Sequence, residues 1–250
     1  MAERPIGIYI ATYNRAGEVS TDQHFRNARV VMPASQADAY SDGQTFVNGA
    51  EIWPCPDEAD GNLCRKRNWI LDNAPEDDVL LLDDDYTGVG FVEHRKQHRL
   101  DLDGVDRLLH TGFDLMHDLR TAMWGLNQQV DPKFYREYAP LSLTLPALGP
   151  WQAFSRSALG DLRYDPTLWL KEDYDMSLQV ARRFHRVARL NKYHYIVNHL
   201  DKPGGQVSKR TLAEEERQLH RLRAKWGHDV VSWNLGKSVN PRVRIPVPGM

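Results

Sequence analysis

The chain has 250 residues, of which 41% are hydrophobic, 10% aromatic and 26% charged. This composition is typical of a globular domain with a sizeable core, and it excludes a disordered chain, a low-complexity polymer and a disulfide-stapled miniprotein. The only cysteines are Cys55 and Cys64, no run has the length of a membrane span, and no signal-peptide pattern follows the first residues. We therefore expect a soluble cytoplasmic protein.

Charge is unevenly distributed, although the net charge is only −2. Residues 182–250 carry 15 Lys and Arg against 5 Asp and Glu, whereas residues 1–181 carry 17 against 29. The basic block suggests a polyanionic ligand on that side of the protein, such as a diphosphate or a nucleic acid. The alternative is that its arginines only solvate the face of a helix.

Short apolar runs alternate with helical patterns in the first 100 residues. Strands are predicted over 6–10, 28–32, 50–53 and 78–82, and a helix over 62–73. Continuous apolar runs separated by helices are typical of parallel strands that are buried on both faces. The sequence therefore predicts an α/β fold with a mostly parallel, Rossmann-like sheet flanked by helices.

The second half of the chain has less regular patterns. We predict an amphipathic helix over 101–120, extended segments over 121–127 and 151–156, a helix from about 173 to 184, a strand over 193–197, a loop over 201–206 and a charged helix over 211–226. No internal repeat or linker interrupts the sequence. We therefore expect one domain over 1–239, with halves at 1–100 and 101–239, and an extended tail over 240–250.

Three aspartates, Asp83, Asp84 and Asp85, follow the most apolar predicted strand. Ligands of parallel sheets bind beyond the carboxyl ends of the strands. Adjacent carboxylates repel one another unless a cation lies between them, and Asp83 and Asp85 alternate to the same side. Their hard oxygens suit Mg²⁺ or Mn²⁺, so we predict a divalent metal site here. The alternative is a solvated acidic turn.

Four motifs in chain order resemble those of the GT-A fold glycosyltransferases. They are the first strand and loop, IYIATYNR (8–15); the helix that carries Arg67 and Asn68; the DxD motif at Asp83 to Asp85; and the ED-type motif, LKEDYD (170–175). The similarity covers residues 6 to about 230. A closer likeness, in the segments IYIATYNRAG, RKRNWILDNA, LLLDDD, KEDYDMSLQVARR and KWGHDVV, is to the TET-associated glycosyltransferases of bacteriophages.

The resemblance implies a GT-A type single domain that transfers a sugar from a nucleotide-diphosphate sugar, UDP-glucose or a similar donor, with Mn²⁺ or Mg²⁺. The implied acceptor is the hydroxyl of 5-hydroxymethylcytosine in double-stranded phage DNA. The half over 1–100 would bind the donor and the half over 101–239 the acceptor. The implied donor contacts are Thr12, Tyr13, Asn14, Arg15, Arg67, Asp83 and Asp84, and the implied metal ligands are Asp85 and Asp83.

Asp173 is the candidate catalytic base, because an inverting transfer needs a carboxylate that takes the proton of the acceptor hydroxyl. Glu172 competes for this role, and Asp175 is a third candidate. A retaining reaction would not need such a base, and we favour inversion. The alternative is that these acids only stabilise the start of a helix, where negative charge is favourable.

Two late segments are further candidates for the site. His199 lies where a histidine completes the metal shell in several GT-A families; the alternative is a structural or surface histidine. Lys202 and Arg210 flank a glycine-containing loop that we expect to close over the diphosphate.

Aromatic residues of the second half are expected to form the acceptor surface. Trp124, Trp151 with Gln152, Tyr164 and Trp169 lie there, and flat rings stack on bases or sugars. The alternative is that the tryptophans belong to the core. The cationic segment 94–99 is a candidate for contact with a phosphate backbone, or a solvated loop.

Three other functions remain open at this stage. The same chemistry can serve a glycan, lipid or protein acceptor. A nucleotidyltransferase would normally show a glycine-rich phosphate loop after the first strand, and ATYNRAG is a poor match. A non-catalytic nucleic-acid-binding module does not need LLLDDD, whose charge opposes DNA unless a cation covers it.

Overall fold

The computed structural model describes residues 4–197, 211–233 and 239–245. The helices are α1 (Ala37–Gly43), α2 (Leu63–Asn73), α3 (Leu102–Asp118), α4 (Arg156–Leu159), α5 (Glu172–Phe184) and α6 (Leu212–Trp226). The strands are β1 (Ile6–Ala11), β2 (Arg29–Val31), β3 (Glu51–Ile52), β4 (Asp78–Asp83), β5 (Tyr86–Glu93), β6 (Lys96–Arg99), β7 (Met123–Asn127), β8 (Leu141–Ser142), β9 (Gln152–Ser155), β10 (Ala188–Val197), β11 (Val231–Ser232) and β12 (Arg242–Val243).

Within the described ranges, ten strands form one mixed sheet in the order β3-β2-β1-β4-β9-β7-β10-β5-β6, with β8 paired to β10. Strands β3, β2, β1 and β4 are parallel neighbours, and β7 is parallel to β10. Antiparallel pairings join the other strands. The predicted α/β class, with a central sheet flanked by helices, is confirmed, and the sheet is mixed with its parallel part at β3-β2-β1-β4 and at β7 and β10. The antiparallel strands explain why the second half of the sequence has less regular patterns.

Both faces of the sheet are covered by apolar packing, which explains the continuous apolar runs of the central strands. In β4, Leu81 belongs to the cluster that contains residues of α2, α5 and α6, and Leu80 belongs to the cluster that contains residues of α3. Tyr9 and Ile10 of β1 divide between the two clusters in the same way. Successive side chains of a strand point to opposite faces, so a strand covered on both sides is apolar throughout.

The predicted elements of the second half are observed with shifted ends. The strand predicted over 193–197 begins earlier, because Ala188 to Leu190 pair with β7. Thr211 caps α6, since its hydroxyl accepts a hydrogen bond from the backbone N–H of Glu214 at 3.2 Å. The predicted loop over 201–206 lies outside the described residues.

The last described segment packs against the body of the protein. Strand β12 pairs antiparallel with β11, and Ile245 is buried in the apolar cluster that holds α6. None of the helices in the described parts of the chain combines the length and the apolar composition needed to cross a membrane.

The connections of β1 create a cleft at the edge of the parallel strands. The sheet continues from β1 to β2 on one side and to β4 on the other, and Ala11 at the end of β1 lies opposite Asp83 at the end of β4. Loops that leave neighbouring strands in opposite directions separate at this point and leave a crevice between them. The residues that follow Ala11 and Asp83 therefore line the crevice.

Candidate active site

A cleft of about 940 Å³ opens at the carboxyl ends of β1 and β4. Its volume is in the range of small-molecule sites. Most of the residues that line it come from three parts of the chain: the loop after β1 with the start of α2, the aspartates at the end of β4, and the start of α5 with the loop before β9. Tyr195 of β10 and Asn240 of the last described segment also line it. Those used below are Thr12, Tyr13, Arg15, Asp60, Lys66, Arg67, Asp83, Asp84, Asp85, Gln128, Gly149, Trp169, Glu172, Asp173, Tyr195 and Asn240.

Asp84 holds the loop that follows β1. One of its carboxylate oxygens accepts a hydrogen bond from the Thr12 hydroxyl at 2.6 Å, and the other accepts from the guanidinium of Arg15. The Tyr40 hydroxyl lies 2.8 Å from the Thr12 hydroxyl and accepts from the backbone N–H of Arg15 at 2.9 Å. Both Asp84 oxygens thus face the protein, and a substrate contact by this residue stays a prediction.

Arg67 lies at the floor of the cleft and is almost fully buried. Its guanidinium donates to Asp83 at 2.8 Å, to Glu172 at 3.3 Å and to the side-chain carbonyl of Gln152 at 3.4 Å, and it stacks over the ring of Tyr164. Burial alone would lower the pKa of Arg67, but the charge of Asp83 leads the interactions that raise the pKa above its ordinary value. Arg67 therefore joins the end of β4 to the start of α5.

Glu172 and Asp173 differ in their environments at the start of α5. Burial, with the adjacent charge of Asp173, raises the pKa of Glu172 to about 8 in spite of the Arg67 guanidinium. The carboxylate of Asp173 accepts hydrogen bonds at 2.8 Å from the backbone N–H groups of Gly149 and Tyr174. These donors fix Asp173 in the wall of the cleft.

Asp85 lies in the cleft beside the two aspartates that precede it. Burial raises the pKa of Asp83 and of Asp84, and the charge of Asp85 adds to both shifts. About a third of the Asp83 side-chain surface remains exposed to the cleft. Mutual repulsion between oxygen donors at an accessible site is the condition that a hard divalent cation relieves. Within the described ranges, however, no group of three or more His, Cys, Asp or Glu side chains converges as a complete metal site.

The loop after β1 places some of the predicted donor contacts in the cleft. Thr12, Tyr13 and Arg15 line the cleft, whereas Asn14 does not. Asn14 is exposed and adopts a left-handed conformation with φ of 52°, and its backbone N–H donates to the side chain of Gln36 at 2.9 Å. The backbone of Asn14 thus shapes the turn, and a donor contact by its side chain stays a prediction.

The expected acceptor surface of tryptophans is wrong. Trp124 and Trp151 are fully buried, and their rings pack against each other in the core with centroids 5.5 Å apart. Large rings on central strands are buried because both faces of the sheet are covered. Gln152 is fully buried too, and it contacts Arg67 and the Tyr164 hydroxyl without lining the cleft. Of the aromatic residues considered, Trp169 does line the cleft.

Asp175 is not available as a base. It is fully buried, and its carboxylate accepts from the indole N–H of Trp226 at 2.8 Å and from Lys225. Asp175 therefore attaches α5 to α6. The predicted contributions of His199, Lys202 and Arg210 lie outside the described residues.

Several cleft residues were missed by sequence reasoning. Lys66 is buried, its ammonium lies 3.5 Å from a carboxylate oxygen of Asp60 and donates to the backbone carbonyl of Thr12, and burial lowers its pKa. A signal was present in the sequence, because three consecutive cations, RKR, open α2 where the helix dipole disfavours positive charge. Asn240 gave no signal, since it reaches the cleft only through the packing of the last segment.

The fold is similar to that of solved nucleotide-sugar enzymes. A mannosyltransferase from Pyrobaculum calidifontis in complex with GDP-Man and Mn²⁺ has 14% identity and a TM-score of 0.56, over 89% of this chain and 63% of that one. Glucosyl-3-phosphoglycerate synthase from Mycobacterium tuberculosis, in complex with Mn²⁺, UDP-Glc and glycerol 3-phosphate, has 12% identity and a TM-score of 0.52, over 98% of this chain and 91% of that one. This chain has the GT-A fold.

Other comparisons add less. TarS 1-349 of S. aureus matches with a TM-score of 0.44 and 14% identity, over 76% of this chain and 59% of that one. The chain thus spans less than two thirds of TarS 1-349 and of the mannosyltransferase. No protein-family model and no curated protein sequence matches the chain.

Proposed function

We propose that the protein is a metal-dependent glycosyltransferase that moves a sugar from a nucleotide-diphosphate sugar to a hydroxyl acceptor. The observation that carries the proposal is the position of Asp83 and Asp85 at the topological switch point, in one cleft with Glu172 and Asp173. The GT-A fold supports it, because the similar structures described above hold Mn²⁺ with GDP-Man or UDP-Glc.

The donor would lie between the loop after β1 and the aspartates after β4. Thr12, Tyr13 and Arg15 would contact the nucleoside, and Arg67 and Asp83 the sugar or its phosphate. Asp85, with the free side of Asp83, would hold the divalent cation through hard oxygens. Bound there, the cation would supply positive charge against the diphosphate as that group leaves.

The acceptor hydroxyl would meet the sugar at the start of α5. Its oxygen forms a bond to the anomeric carbon while the bond from that carbon to the diphosphate breaks, and its proton passes to Asp173. A fixed carboxylate suits this task because proton transfer requires hydrogen-bond reach. Burial disfavours the ionised form of Glu172 and raises its pKa, whereas two backbone N–H groups hold the Asp173 carboxylate in the cleft wall, so Asp173 is our candidate base. This assignment corresponds to an inverting transfer, which NMR of the product's anomeric configuration would test.

We further propose UDP-glucose or a similar UDP-sugar as donor, and 5-hydroxymethylcytosine in phage DNA as acceptor, on the resemblance to the TET-associated glycosyltransferases of bacteriophages. A transfer assay with radiolabelled UDP-glucose would offer hydroxymethylcytosine DNA beside the same DNA without the modification. Labelling of the modified DNA alone supports the proposal. Labelling of neither would favour a glycan, lipid or protein acceptor.

Donor and metal binding can be tested without knowing the acceptor. A ligand that binds only the folded state raises its melting temperature, by RT ln(1 + [L]/Kd) in free energy. We expect UDP or GDP to raise the melting temperature of the wild type when Mn²⁺ is present. Asp85→Asn should lose the Mn²⁺-dependent part of the rise, whereas Asp114→Asn, at an exposed position on α3, should keep it. A wild type that responds to neither nucleotide would contradict the proposal.

A further inference from the structure

We propose that a surface beside the cleft binds single-stranded nucleic acid. This surface, called here the hairpin surface, consists of the β5–β6 hairpin and the segment 128–140 that follows β7. The inference rests on the proposed function only for the purpose of such binding, which is to hold the polymer that carries the acceptor. The binding itself needs neither sugar donor nor metal.

Exposed aromatic rings distinguish this surface from the rest of the described structure. Phe134 is 67% exposed and Tyr138 is 86% exposed. Most of the other aromatic side chains are buried or half-buried, including the tryptophans that the sequence suggested as an acceptor surface. Exposed rings a few residues apart provide faces on which unpaired bases stack, and stacking tolerates any base because every base has a π-face.

Exposed cations lie in the same two segments as these rings. All four residues of β6, Lys96–Arg99, are exposed on the edge strand of the sheet. The positively charged residues of the hairpin surface are Arg95, Lys96, Arg99, Lys133 and Arg136, and the acids beside them are Glu93, Asp131 and Glu137. A surface that combines aromatic and basic side chains is typical of proteins that bind single-stranded nucleic acid, because the rings stack on bases and the cations contact phosphates.

The tip of the hairpin keeps large side chains in an unfavourable backbone conformation. His94 and Arg95 both lie in the left-handed region, with φ of 49° and 60°. Two-residue hairpin turns of this kind favour Asn and Gly, because other side chains are strained in the left-handed region. Retaining His and Arg at such a turn indicates a use for their side chains.

Direct contacts join the hairpin and the segment 128–140 into one surface. The side-chain amide of Gln97 donates to the backbone carbonyl of Val130, and the backbone N–H of His94 donates to Glu137 at 3.1 Å. The backbone segments that carry the rings and the cations are therefore joined to each other. Less conformational entropy is then lost when a strand binds.

The hairpin surface leads away from the cleft. Gln128, where the segment begins, lines the cleft, and β5 begins one residue after Asp85. From Tyr86 to the tip at Glu93, β5 extends about 23 Å at about 3.3 Å per residue. A polymer could thus lie along the surface while one of its units reaches the cleft.

The basic C-terminal block fits this role less well. Arg183 pairs with Asp161 at 2.7 Å, Lys225 with Asp165 at 2.9 Å, and Arg217 with Glu214 at 2.6 Å. These cations stabilise the protein's own helices and turns. The charge asymmetry of the sequence therefore points to a different place from the one that the exposed rings indicate.

Binding can be measured by fluorescence anisotropy with a labelled oligothymidine strand, without donor or metal, at several salt concentrations. We expect the paired variant Phe134→Ala/Tyr138→Ala to weaken binding about fivefold to 100-fold, since a stacked base contributes about 1–3 kcal/mol. We expect Arg95→Ala/Lys96→Ala to weaken binding and to lower the slope of log K against log salt by about 0.7 per lost phosphate contact. The matched controls are Leu212→Ala, at a residue that is 66% exposed on α6, and Arg182→Ala, at an exposed residue of α5.

Four results would overturn the proposal. They are no binding by the folded wild type, equal binding by the surface variants and the wild type, equal weakening by the control variants, and tighter binding of a duplex than of the single strand. An alternative use of the β6 cations is to block pairing of the sheet edge with another chain. In that case Arg95→Ala/Lys96→Ala would self-associate in gel filtration and keep its affinity, which also counts against the proposal. The nucleotide melting assay is unaffected by these variants if the cleft works as proposed, so the two failures are distinguishable.

Discussion

At the scale of single residues, Arg67 decides the electrostatics of the cleft floor. A guanidinium cannot give up its proton in a protein, so its burial requires negative partners. Asp83 supplies the negative charge, and Glu172 on the opposite side and Gln152 add oxygen atoms that accept hydrogen bonds. Arg67 thus lowers the free-energy cost of holding the carboxyl groups of Asp83 and Glu172 in the cleft.

Removing this cation should destabilise the protein. We expect Arg67→Met to lower the free energy of unfolding by about 3–5 kcal/mol, because it leaves carboxylates without their buried partner. Urea denaturation measures the change. Arg107→Met, which removes an exposed arginine of α3, is the matched control and should change stability by less than about 0.5 kcal/mol. Similar losses in the two variants would contradict the role assigned to Arg67.

Glu172 should make stability depend on pH. Its pKa is raised to about 8 in the folded protein, so the folded state binds the proton more tightly than the unfolded state does. Between about pH 4.5 and pH 8, stability is therefore lost as pH rises, by up to about 1.4 kcal/mol per pH unit. Glu172→Gln should remove this loss, and its stability relative to the wild type should increase from pH 5 to pH 8.

Denaturation at several pH values measures this difference. Glu58→Gln, at an exposed glutamate, is the control for a change of net charge and should follow the wild type. If the difference between Glu172→Gln and the wild type stays constant with pH, Glu172 does not hold the extra proton.

At the scale of elements, the start of α5 is positioned by its neighbours. Lys171, just before the helix, forms a buried ion pair of 2.5 Å with Glu215 of α6. On the next turn, the carboxylate of Asp175 accepts hydrogen bonds from Lys225 and Trp226 of α6. Glu172 and Asp173 lie between these two attachments, so α6 supports the acidic wall of the cleft without contacting it.

The pair between Lys171 and Glu215 can be tested with a double-mutant cycle. We expect Lys171→Met and Glu215→Leu each to lower the free energy of unfolding by about 3–5 kcal/mol, because each removes one member of a buried ion pair and leaves the charge of the other. The double variant should lose less than either single variant. Lys192→Met breaks the exposed pair with Glu93 and should cost about 0–1 kcal/mol. Additive losses in the double variant would show that the two residues do not act as a pair.

Gly149 holds Asp173 from the opposite loop. Its φ is +82°, and a Cβ added there would lie 2.2 Å from the Tyr195 hydroxyl oxygen. Gly149→Ala should therefore displace the backbone N–H that binds Asp173, and lower stability by about 1–3 kcal/mol beyond the backbone strain. Gly227→Ala is a matched control, because Gly227 has a φ of +90° and open space around its Cβ position. Equal effects of the two variants in chemical denaturation would argue against the displacement.

At the scale of the whole molecule, the last described segment, residues 239–245, packs against one of the two apolar clusters. Ile245 packs into the cluster that contains Leu222 of α6 and Val231 of β11. We expect Ile245→Ala to lower the free energy of unfolding by about 2–5 kcal/mol, as for other large-to-small changes in a core. Arg244→Ala, at the exposed neighbour, should have little effect. A small loss for Ile245→Ala in urea denaturation would place this segment outside the cooperative unit.

The sequence predicted those features that depend on local pattern. The apolar run of β4 and the aspartates after it predicted a buried strand and the floor of a cleft. The position of Glu172 and Asp173 at a helix start followed from the apolar spacing and the acids. These features can be predicted because burial on both faces of a strand and charge at a helix terminus each produce a pattern within a few residues of the sequence.

The features that the sequence did not predict depend on packing between residues far apart in the chain. Trp124 and Trp151 have the composition of a stacking surface, but their strands are central in the sheet and the rings are buried. Lys66 and Asn240 reach the cleft through the position of α2 and of the last segment, which no local pattern records. Aromatic content alone does not tell an exposed ring from a buried one, and the rings of Phe134 and Tyr138, which the sequence did not single out, are exposed.

Arg67 has one more consequence, because the same guanidinium contacts Asp83 at the end of β4 and Glu172 at the start of α5. Any charged species that settles on Asp83 must alter the affinity of Glu172 for its proton, and protonation of Glu172 must alter in return how well that species is held. Such coupling is reciprocal by thermodynamic necessity. The two ends of the cleft are therefore linked equilibria, and binding at one end should be accompanied by uptake or release of a proton at the other.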